Sequence, residues 1–482
     1  MVREDRAFFL GAAMAGLALR LIFLFWFPAI TDDSHVYMDL GRNWLEHGVY
    51  GQSEMGQVAP TDARLPGYPA FLAAMFWVFG RENIGAVLLV QILLDLLSCL
   101  IIADVARRMI AEPRAGRTAF LLAAMCPFLA NYAAAVLTES LEILFTATAL
   151  DCAVAALEGM DESGGPVASR ASNERPASGR RRGATAGIPT LWVGAGAAIG
   201  ACILLRPDGG ILLGAMGLYL ALVMWRSRRN KRRMAQVAAA GLLVLPIALA
   251  PLVPWTIRNF RTLHHFQPLA PRYANETDEV APTGFNRWVR TWMLDYASVE
   301  EIYWNVPGAK IDAGKLPARA FDAGKDATLA LIADYNQTPD LTLQLDARFN
   351  ELAKERIAAH RFRYYVELPL MRVADMWMRP RTELLPSDPR WWEFNDEPKW
   401  SVVAVGLGLL NLLYVAAALL GLMCRRGELR YAGLLVGFVL LRSAFLATVE
   451  NPETRYTLEC YPAILVLATA SLARLGSAQR VK

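Results

Sequence analysis

Two acidic residues, Asp32 and Asp33, directly follow a hydrophobic segment near the start of the chain. Arg64 lies in the polar stretch that comes next and opens a turn of proline, glycine and tyrosine. Because carboxylates are costly inside lipid, we expect the acidic pair where a membrane helix leaves the bilayer. At that surface a carboxylate can meet both a lipid-borne and a water-soluble reactant. The placement therefore indicates catalysis.

One carboxylate and a few arginines are enough to move a sugar from a polyprenyl phosphate to an acceptor. A carboxylate serves as the general base that activates the acceptor, and either Asp33 or Asp32 could act in this way. The leaving phosphate monoester needs nearby positive charge rather than an acid, and the arginine fork suits it. The candidates for binding that phosphate are Arg64, Arg455 and Arg258.

Structural explanations compete with these roles. Asp32 and Asp33 could be ordinary caps at the start of a helix, where aspartate is common. Arg64 and Arg455 could instead anchor the chain to lipid headgroups at the membrane surface. The sequence alone leaves both alternatives open.

The composition indicates a membrane protein. Of the 482 residues, 55% are hydrophobic and only 20% are charged, and the mean hydropathy is +0.28. A span needs roughly 20 apolar residues. We therefore predict an all-α polytopic membrane protein, a helical bundle of about ten transmembrane helices, near residues 7–29, 84–106, 117–134, 138–158, 187–205, 209–225, 235–256, 400–423, 430–449 and 458–474.

The remaining segments complete the predicted organisation. Residues 1–256 form a transmembrane catalytic module whose first external loop is 31–83, and the apolar residues 67–79 are too short for a span and predict an interfacial helix. Residues 257–399 predict a small extracytoplasmic domain, with helical periodicity at 318–334 and 345–366. Residues 400–482 return to the membrane.

Short loops rich in arginine and lysine set the expected orientation. They alternate with loops nearly bare of these residues, and basic loops stay in the cytoplasm. Both termini are therefore expected to be cytoplasmic, and Asp33 and Arg455 are expected on the extracytoplasmic side. The net charge of +4 gives no indication of a nucleic-acid partner. The six cysteines are scattered without a CxxC spacing, so neither a disulfide framework nor a zinc site is expected.

Several charged residues lie within predicted spans. Arg20 should find a partner among the helices, because an unpaired arginine in the bilayer is costly. Glu139 and Glu142, three residues apart on one helical face, could supply that partner. Asp95 and Arg442 raise the same question. Glu139 lies nearest the outer surface, and it is the best candidate of these for a functional role.

The chain resembles the membrane-embedded GT-C glycosyltransferases, specifically the protein O-mannosyltransferase and bacterial aminoarabinose transferase-like family. The resemblance rests on Asp33 and Tyr37 after the first span, followed by Arg64 and the Pro-Gly-Tyr-Pro turn that contains Tyr68. It continues through the short apolar stretch ending at Gly80 and covers roughly residues 1–220.

The resemblance implies an inverting transfer from a polyprenyl-phosphate sugar on the extracytoplasmic face of a bacterial inner membrane. It implies an aspartate in the first external loop as the key residue, and Asp33 takes that position. Many members have a second acidic residue directly afterwards, whereas here Ser34 follows and Asp32 precedes. Which aspartate acts therefore stays open. Arg64 takes the place of the family's basic residue. Tyr37 and Tyr68 lie in the matching motifs, and we expect them, together with Glu139, to have supporting roles.

Other points stay open as well. The sugar and the acceptor, whether lipid, glycan or protein, are not indicated by the sequence. No cofactor is required, although the aspartate pair could bind a divalent metal. The competing function is a transporter or flippase of a lipid-linked glycan. It would need a polar path across the bilayer, whereas the polar residues here crowd toward one face.

Overall fold

The computed structural model describes residues 5–164, 187–273, 281–322, 324–395, 397–425, 427 and 429–473. The chain divides into two compact units. The first comprises residues 1–272, 414–441 and 459–482, and the second comprises 273–413 and 442–458. The domain limits expected from the sequence stay a prediction.

The described residues of the first unit form helices and one small hairpin. Its elements, in chain order, are α1 (Arg6–Trp26), α2 (Asp32–His47), β1 (Gly51–Glu54), β2 (Gln57–Pro60), α3 (Gly67–Phe79), α4 (Ile84–Met109), α5 (Ala115–Ala124), α6 (Pro127–Ala133), α7 (Glu139–Gly164), α8 (Ile188–Leu205), α9 (Gly210–Arg226), α10 (Lys231–Leu249) and α11 (Leu252–Leu263). The two strands pair antiparallel, with Gly51 opposite Pro60.

Seven helical stretches of the described residues are long and apolar enough to cross a membrane, which confirms the all-α polytopic membrane fold. They are Arg6–Trp26, Ile84–Met109, Glu139–Glu162, Ile188–Leu205, Pro207–Arg226, Lys231–Leu263 and Pro398–Cys424.

The other three predicted spans are shorter than expected. The stretch 117–134 forms two helices, because Cys126 is extended and Pro127, which has no backbone N–H to donate, begins α6. The last two predicted spans, 430–449 and 458–474, correspond to helices Ala432–Leu446 and Tyr461–Leu472.

Arg20 finds its partner on α4 and not on α7. Its side chain lies 2.5 Å from Asp95, and both side chains are fully buried. The guanidinium also donates to the carbonyls of Gly16 and Ala124, at 2.9 and 2.7 Å. The sequence-based expectation of a pair with Glu139 or Glu142 was therefore wrong. The packing of α1 against α4 places Asp95 at the same height as Arg20. The sequence does not show this packing.

The second unit has its own core of aromatic and aliphatic side chains. Its elements are α12 (Thr283–Val289), α13 (Tyr296–Glu301), α14 (Lys325–Tyr335), α15 (Leu343–Ala359), α16 (Leu368–Met378) and the first part of α17 (Pro398–Arg425), followed later by the end of α18 (Ala432–Leu446). Trp288 and Trp292 are fully buried in this core. The two helices predicted near 318–334 and 345–366 are present as α14 and α15, with shifted ends.

One buried carboxylate connects two of these helices. Asp346 on α15 accepts hydrogen bonds of 2.9 Å from the backbone N–H groups of Gly284 and Phe285 at the start of α12. These N–H groups have no partner within their own helix, so the contact satisfies them. In the same unit, the buried Arg442 donates to the carbonyl of Tyr456 at 2.8 Å. After α18, the first unit resumes and ends with α19 (Tyr461–Leu472).

Candidate active site

A capping box sets the direction of the two aspartates. Thr31 is the cap of α2: its hydroxyl accepts from the N–H of Ser34, and the hydroxyl of Ser34 accepts from the N–H of Thr31 at 2.9 Å. Asp32 and Asp33 therefore occupy the first turn and are not the cap residues. The positive end of the helix dipole stabilises carboxylates at these positions.

The two aspartates have different environments. Asp32 is exposed to solvent. Asp33 accepts a hydrogen bond of 3.1 Å from Nη2 of Arg64, and the two side chains retain 28% and 29% of their exposure. Both side chains are therefore only partly buried, and solvent still reaches them. The geometry brings together Asp33 and Arg64, as the sequence predicted, and leaves Asp32 outside the pair.

Backbone contacts hold Arg64 in place. Its carbonyl accepts a hydrogen bond of 2.9 Å from the hydroxyl of Tyr50. Arg258 on α11 in turn donates to the carbonyl of Tyr50 and, at 2.7 Å, to that of Thr61. The guanidinium of Arg258 also lies over the rings of Tyr50 and Trp255. Arg258 is thus engaged in supporting the loop that carries Arg64.

A close backbone approach brings the Arg64 turn to the end of α8. A Cβ added at Gly67 would lie 2.6 Å from the carbonyl oxygen of Leu204, well inside van der Waals contact. Only glycine allows this approach. Leu204 lies two residues before Arg206, so the close fit also places the two arginines on neighbouring segments.

Tyr37 and Tyr68 form an aromatic pair beside the ion pair. Their rings meet edge to face with centroids 5.2 Å apart. The hydroxyl of Tyr68 donates to Gln91 at 2.6 Å, and the amide of Gln91 donates to the carbonyl of Ala135 at 2.7 Å. Ala135 pairs with Ala29, just before α2. These contacts tie the starts of α2, α3 and α7 together.

The pKa of Tyr37 indicates which charges surround it. Burial raises the pKa of Tyr37 to about 12, and the negative charges of Asp33 and Glu139 act in the same direction. The positive charges of Arg64 and Arg206 oppose that rise. The hydroxyl of Tyr37 therefore stays protonated at neutral pH, in an environment that both arginines influence.

Arg206 lies within a group of carboxylates. It is 3.6 Å from Glu139, 3.7 Å from Glu142 and 3.2 Å from Asp208. Burial lowers its pKa, but Asp208 and the three glutamates, Glu142, Glu459 and Glu139, raise it well above the usual range. Glu139 and Glu142 are almost completely buried. Arg206 is therefore a permanent cation that compensates several buried acids.

Three of these acids could also hold a metal ion. Oxygens of Glu142, Asp208 and Glu459 lie within 4.8 Å of one another, and oxygen ligands suit Mg²⁺ or Mn²⁺. However, the guanidinium of Arg206 already contacts two of the three carboxylates. A divalent ion would have to share the group with that cation, so these residues fit a metal poorly. Within the described ranges, Asp32 and Asp33 belong to no group of this kind.

Arg455 lies in the second unit, where its Nε is 2.6 Å from the carboxylate of Glu453. Its predicted role in binding phosphate stays a prediction.

Sequence reasoning missed Arg206, Asp208 and Glu459 as site candidates. A signal for the first two was present, because the Arg-Pro-Asp sequence joins two predicted spans on the same side as Asp33. Glu459 gave no comparable signal, since it lies far along the chain at the start of the last apolar helix.

Comparison with known proteins agrees with the resemblance seen in the sequence. Residues 61–165 match the family of dolichyl-phosphate-mannose-protein mannosyltransferases. This range begins just before Arg64 and includes Tyr68 and Glu139. The predicted resemblance to membrane glycosyltransferases of this type is thereby confirmed, over a shorter range than the predicted residues 1–220. None of the curated proteins matches the sequence.

Solved structures of two other proteins are similar to this chain, each at low sequence identity. The archaeal oligosaccharyltransferase AglB from Archaeoglobus fulgidus, in complex with an inhibitory peptide and a dolichol-phosphate, is 11% identical with a TM-score of 0.49. The match covers 98% of this chain and 51% of that one, so this chain spans about half its length. ArnT from Cupriavidus metallidurans bound to undecaprenyl phosphate is 16% identical with a TM-score of 0.34, over 100% of this chain and 80% of that one.

Proposed function

We propose that this protein is a GT-C glycosyltransferase that moves a sugar from a polyprenyl-phosphate donor to an acceptor hydroxyl or amine. The observation that carries the proposal is the contact between Asp33 and Arg64, a partly exposed carboxylate and guanidinium at the start of α2. The match of residues 61–165 to a family whose donor is a dolichyl-phosphate sugar supports it.

The proposed reaction is a single displacement with inversion at the anomeric carbon. Asp33 takes the proton from the acceptor as its oxygen or nitrogen forms a bond to the anomeric carbon. The bond between that carbon and the phosphate oxygen breaks, and its electron pair stays on the phosphate. Arg64 stabilises the negative charge that develops there. Tyr37 and Tyr68 position this pair through their packing.

The buried acids contribute electrostatics in this proposal. The reaction centre gains positive charge in an oxocarbenium-like transition state. Glu139 is nearly fully buried and lies 3.6 Å from Arg206, and its charge acts on Tyr37 together with that of Asp33. Negative charge held in this region attracts the developing positive charge and so stabilises the transition state. Arg206 limits the repulsion among the acids.

We propose further that the site faces the extracytoplasmic side of a bacterial inner membrane, with both termini cytoplasmic, because the arginine-rich loops lie at the other ends of the spans. The reaction as written needs no cofactor or metal, because phosphate is a good leaving group beside a cation. Activity is therefore expected to persist in EDTA.

The test is transfer by the purified protein. The protein is incubated with a panel of radiolabelled polyprenyl-phosphate sugars and a cell-envelope extract, and labelled products are separated from the donor. We expect a product with one donor and none with the Asp33→Asn variant. Movement of labelled lipid across proteoliposomes without any product would instead support the transporter.

A further inference from the structure

A crevice of about 250 Å³ lies between α7, α8 and α10 in the first unit. Its walls are mainly apolar and include Met160, Ile188, Trp192 and Leu243. Two polar residues near the start of α10, Arg232 and Gln236, also line it. The crevice thus combines an apolar channel with a cation.

The crevice is remote from the candidate active site. At 1.5 Å per residue, Met160 lies about 27 Å along α7 from Glu142, and Trp192 lies about 21 Å along α8 from Arg206. These lengths approach the thickness of the hydrocarbon core of a bilayer, about 30 Å. The crevice therefore lies at the opposite membrane face, at the level of the basic loop between α9 and α10.

Two side chains of the crevice lack partners within the described chain. The indole of Trp192 is 98% buried by neighbouring residues, yet its Nε1–H has no hydrogen-bond acceptor there. Buried donors normally have an acceptor. Arg232 is exposed and forms no ion pair with a described residue, whereas its neighbour Arg233 pairs with Asp161 at 2.6 Å.

We propose that this crevice binds an anionic glycerophospholipid. One acyl chain fills the apolar channel, the phosphate pairs with Arg232, and an ester oxygen accepts the hydrogen bond of Trp192. An apolar crevice that opens toward lipid is filled by lipid chains, and basic pockets between membrane helices select anionic headgroups. The proposal does not depend on the reaction at Asp33.

Native mass spectrometry of the full-length protein tests this proposal. Delipidated protein in detergent is titrated with phosphatidylglycerol or with phosphatidylcholine of the same chain length, and bound lipids are counted. We expect tighter binding of phosphatidylglycerol. One arginine near the surface contributes about 1 kcal/mol, so Arg232→Gln should reduce this preference roughly fivefold.

Two further variants make the result specific. Ala239→Trp fills the crevice from its exposed edge and should abolish high-affinity binding of both lipids. Arg229→Gln removes an exposed cation that does not line the crevice and should leave binding unchanged.

Three results of the lipid titrations would overturn the proposal. They are equal affinity for the two lipids, an equal loss in Arg229→Gln and Arg232→Gln, and undiminished binding to Ala239→Trp. A dimer mass that disappears in Ala239→Trp would also overturn it, because a second copy of the chain would then occupy the crevice. The transfer assay reports separately on the proposed function.

Discussion

Nη2 of Arg64 lies 3.1 Å from Oδ1 of Asp33, so the candidate base and the candidate phosphate-binding cation are direct neighbours. A base and a cation in contact can act on the two ends of one displacement, the incoming acceptor and the departing phosphate. The same contact distinguishes Asp33 from Asp32 as the candidate base. The sequence alone could not make this distinction.

We expect Asp33→Asn to lower the transfer rate by at least about 10²-fold, because the amide cannot accept the acceptor's proton. Asp32→Asn is the matched control and should retain activity within about twofold, since Asp32 is exposed and lies outside the pair. Initial rates with radiolabelled donor measure both. Comparable losses in the two variants would remove the assignment of the base to Asp33.

Arg64→Lys should lower kcat by about 10- to 10²-fold, because the planar fork that fits phosphate is lost while the charge remains. The change in KM should be smaller if the interaction strengthens as charge develops. Arg42→Lys is the control, because Arg42 also pairs with acids but does so at an exposed surface. Steady-state kinetics with varied donor concentration give both constants. Wild-type kinetics for Arg64→Lys would exclude this arginine from phosphate binding.

Gly67→Ala should destabilise the protein by about 1–3 kcal/mol, because the new Cβ would collide with the carbonyl of Leu204. It should lower activity too, since the collision moves the Arg64 turn away from the end of α8. At Gly214 in α9 an added Cβ meets nothing within 4 Å, so Gly214→Ala should be neutral or stabilising. Thermal unfolding in detergent compares the two, and equal Tm values would contradict the close approach.

The buried pair of Arg20 and Asp95 predicts a non-additive mutant cycle. Asp95→Leu alone should cost about 3–5 kcal/mol, because it leaves a buried charge without its partner. Arg20→Met should cost a similar amount, and the double variant should be markedly more stable than either single one. The free energy of unfolding of all four proteins is the measurement. Additive losses would show that the two charges are not coupled.

Glu383 in the second unit predicts a pH dependence of stability. Its carboxylate oxygens are buried, and burial raises its pKa to about 7, although Arg381 opposes the shift. In the unfolded chain the Glu383 carboxyl releases its proton above a pKa of about 4.3. In the folded protein it keeps this proton up to a pH of about 7. Stability should fall as the pH rises from about 4.3 to about 7 and should then level off.

Glu383→Gln should remove this loss, because glutamine has no proton to release. At pH 8 it should be more stable than the wild type by about 1–3 kcal/mol, and near pH 4 the two should be similar. Glu355→Gln, at an exposed position of α15, is the control and should follow the wild type. Tm measured from pH 4 to pH 8 tests this, and parallel curves for Glu383→Gln and wild type would contradict it.

Much of the architecture was predictable because it depends on local composition. Apolar stretches of about 20 residues form helices in a bilayer, because a helix satisfies its backbone hydrogen bonds within the segment itself. The breaks within the predicted spans were less predictable, because the kink at Cys126 and Pro127 interrupts a stretch that is apolar throughout. The sequence could place the aspartates and Arg64 in the same region, because the predicted external loop 31–83 contains them all, but it could not show which aspartate pairs with Arg64.

By itself, the sequence determined that this is a polytopic membrane protein and that aspartates and an arginine lie in the polar region after its first span. Only the tertiary structure decided which groups pair. The Thr31 cap turns Asp33 rather than Asp32 toward Arg64, and helix packing pairs Arg20 with Asp95. Arg206 gathers acids from three segments that are distant along the chain. Hydropathy describes how strongly each residue prefers to avoid water. The choice of partner depends instead on the rotation of each helix and on contact between segments, which hydropathy does not describe.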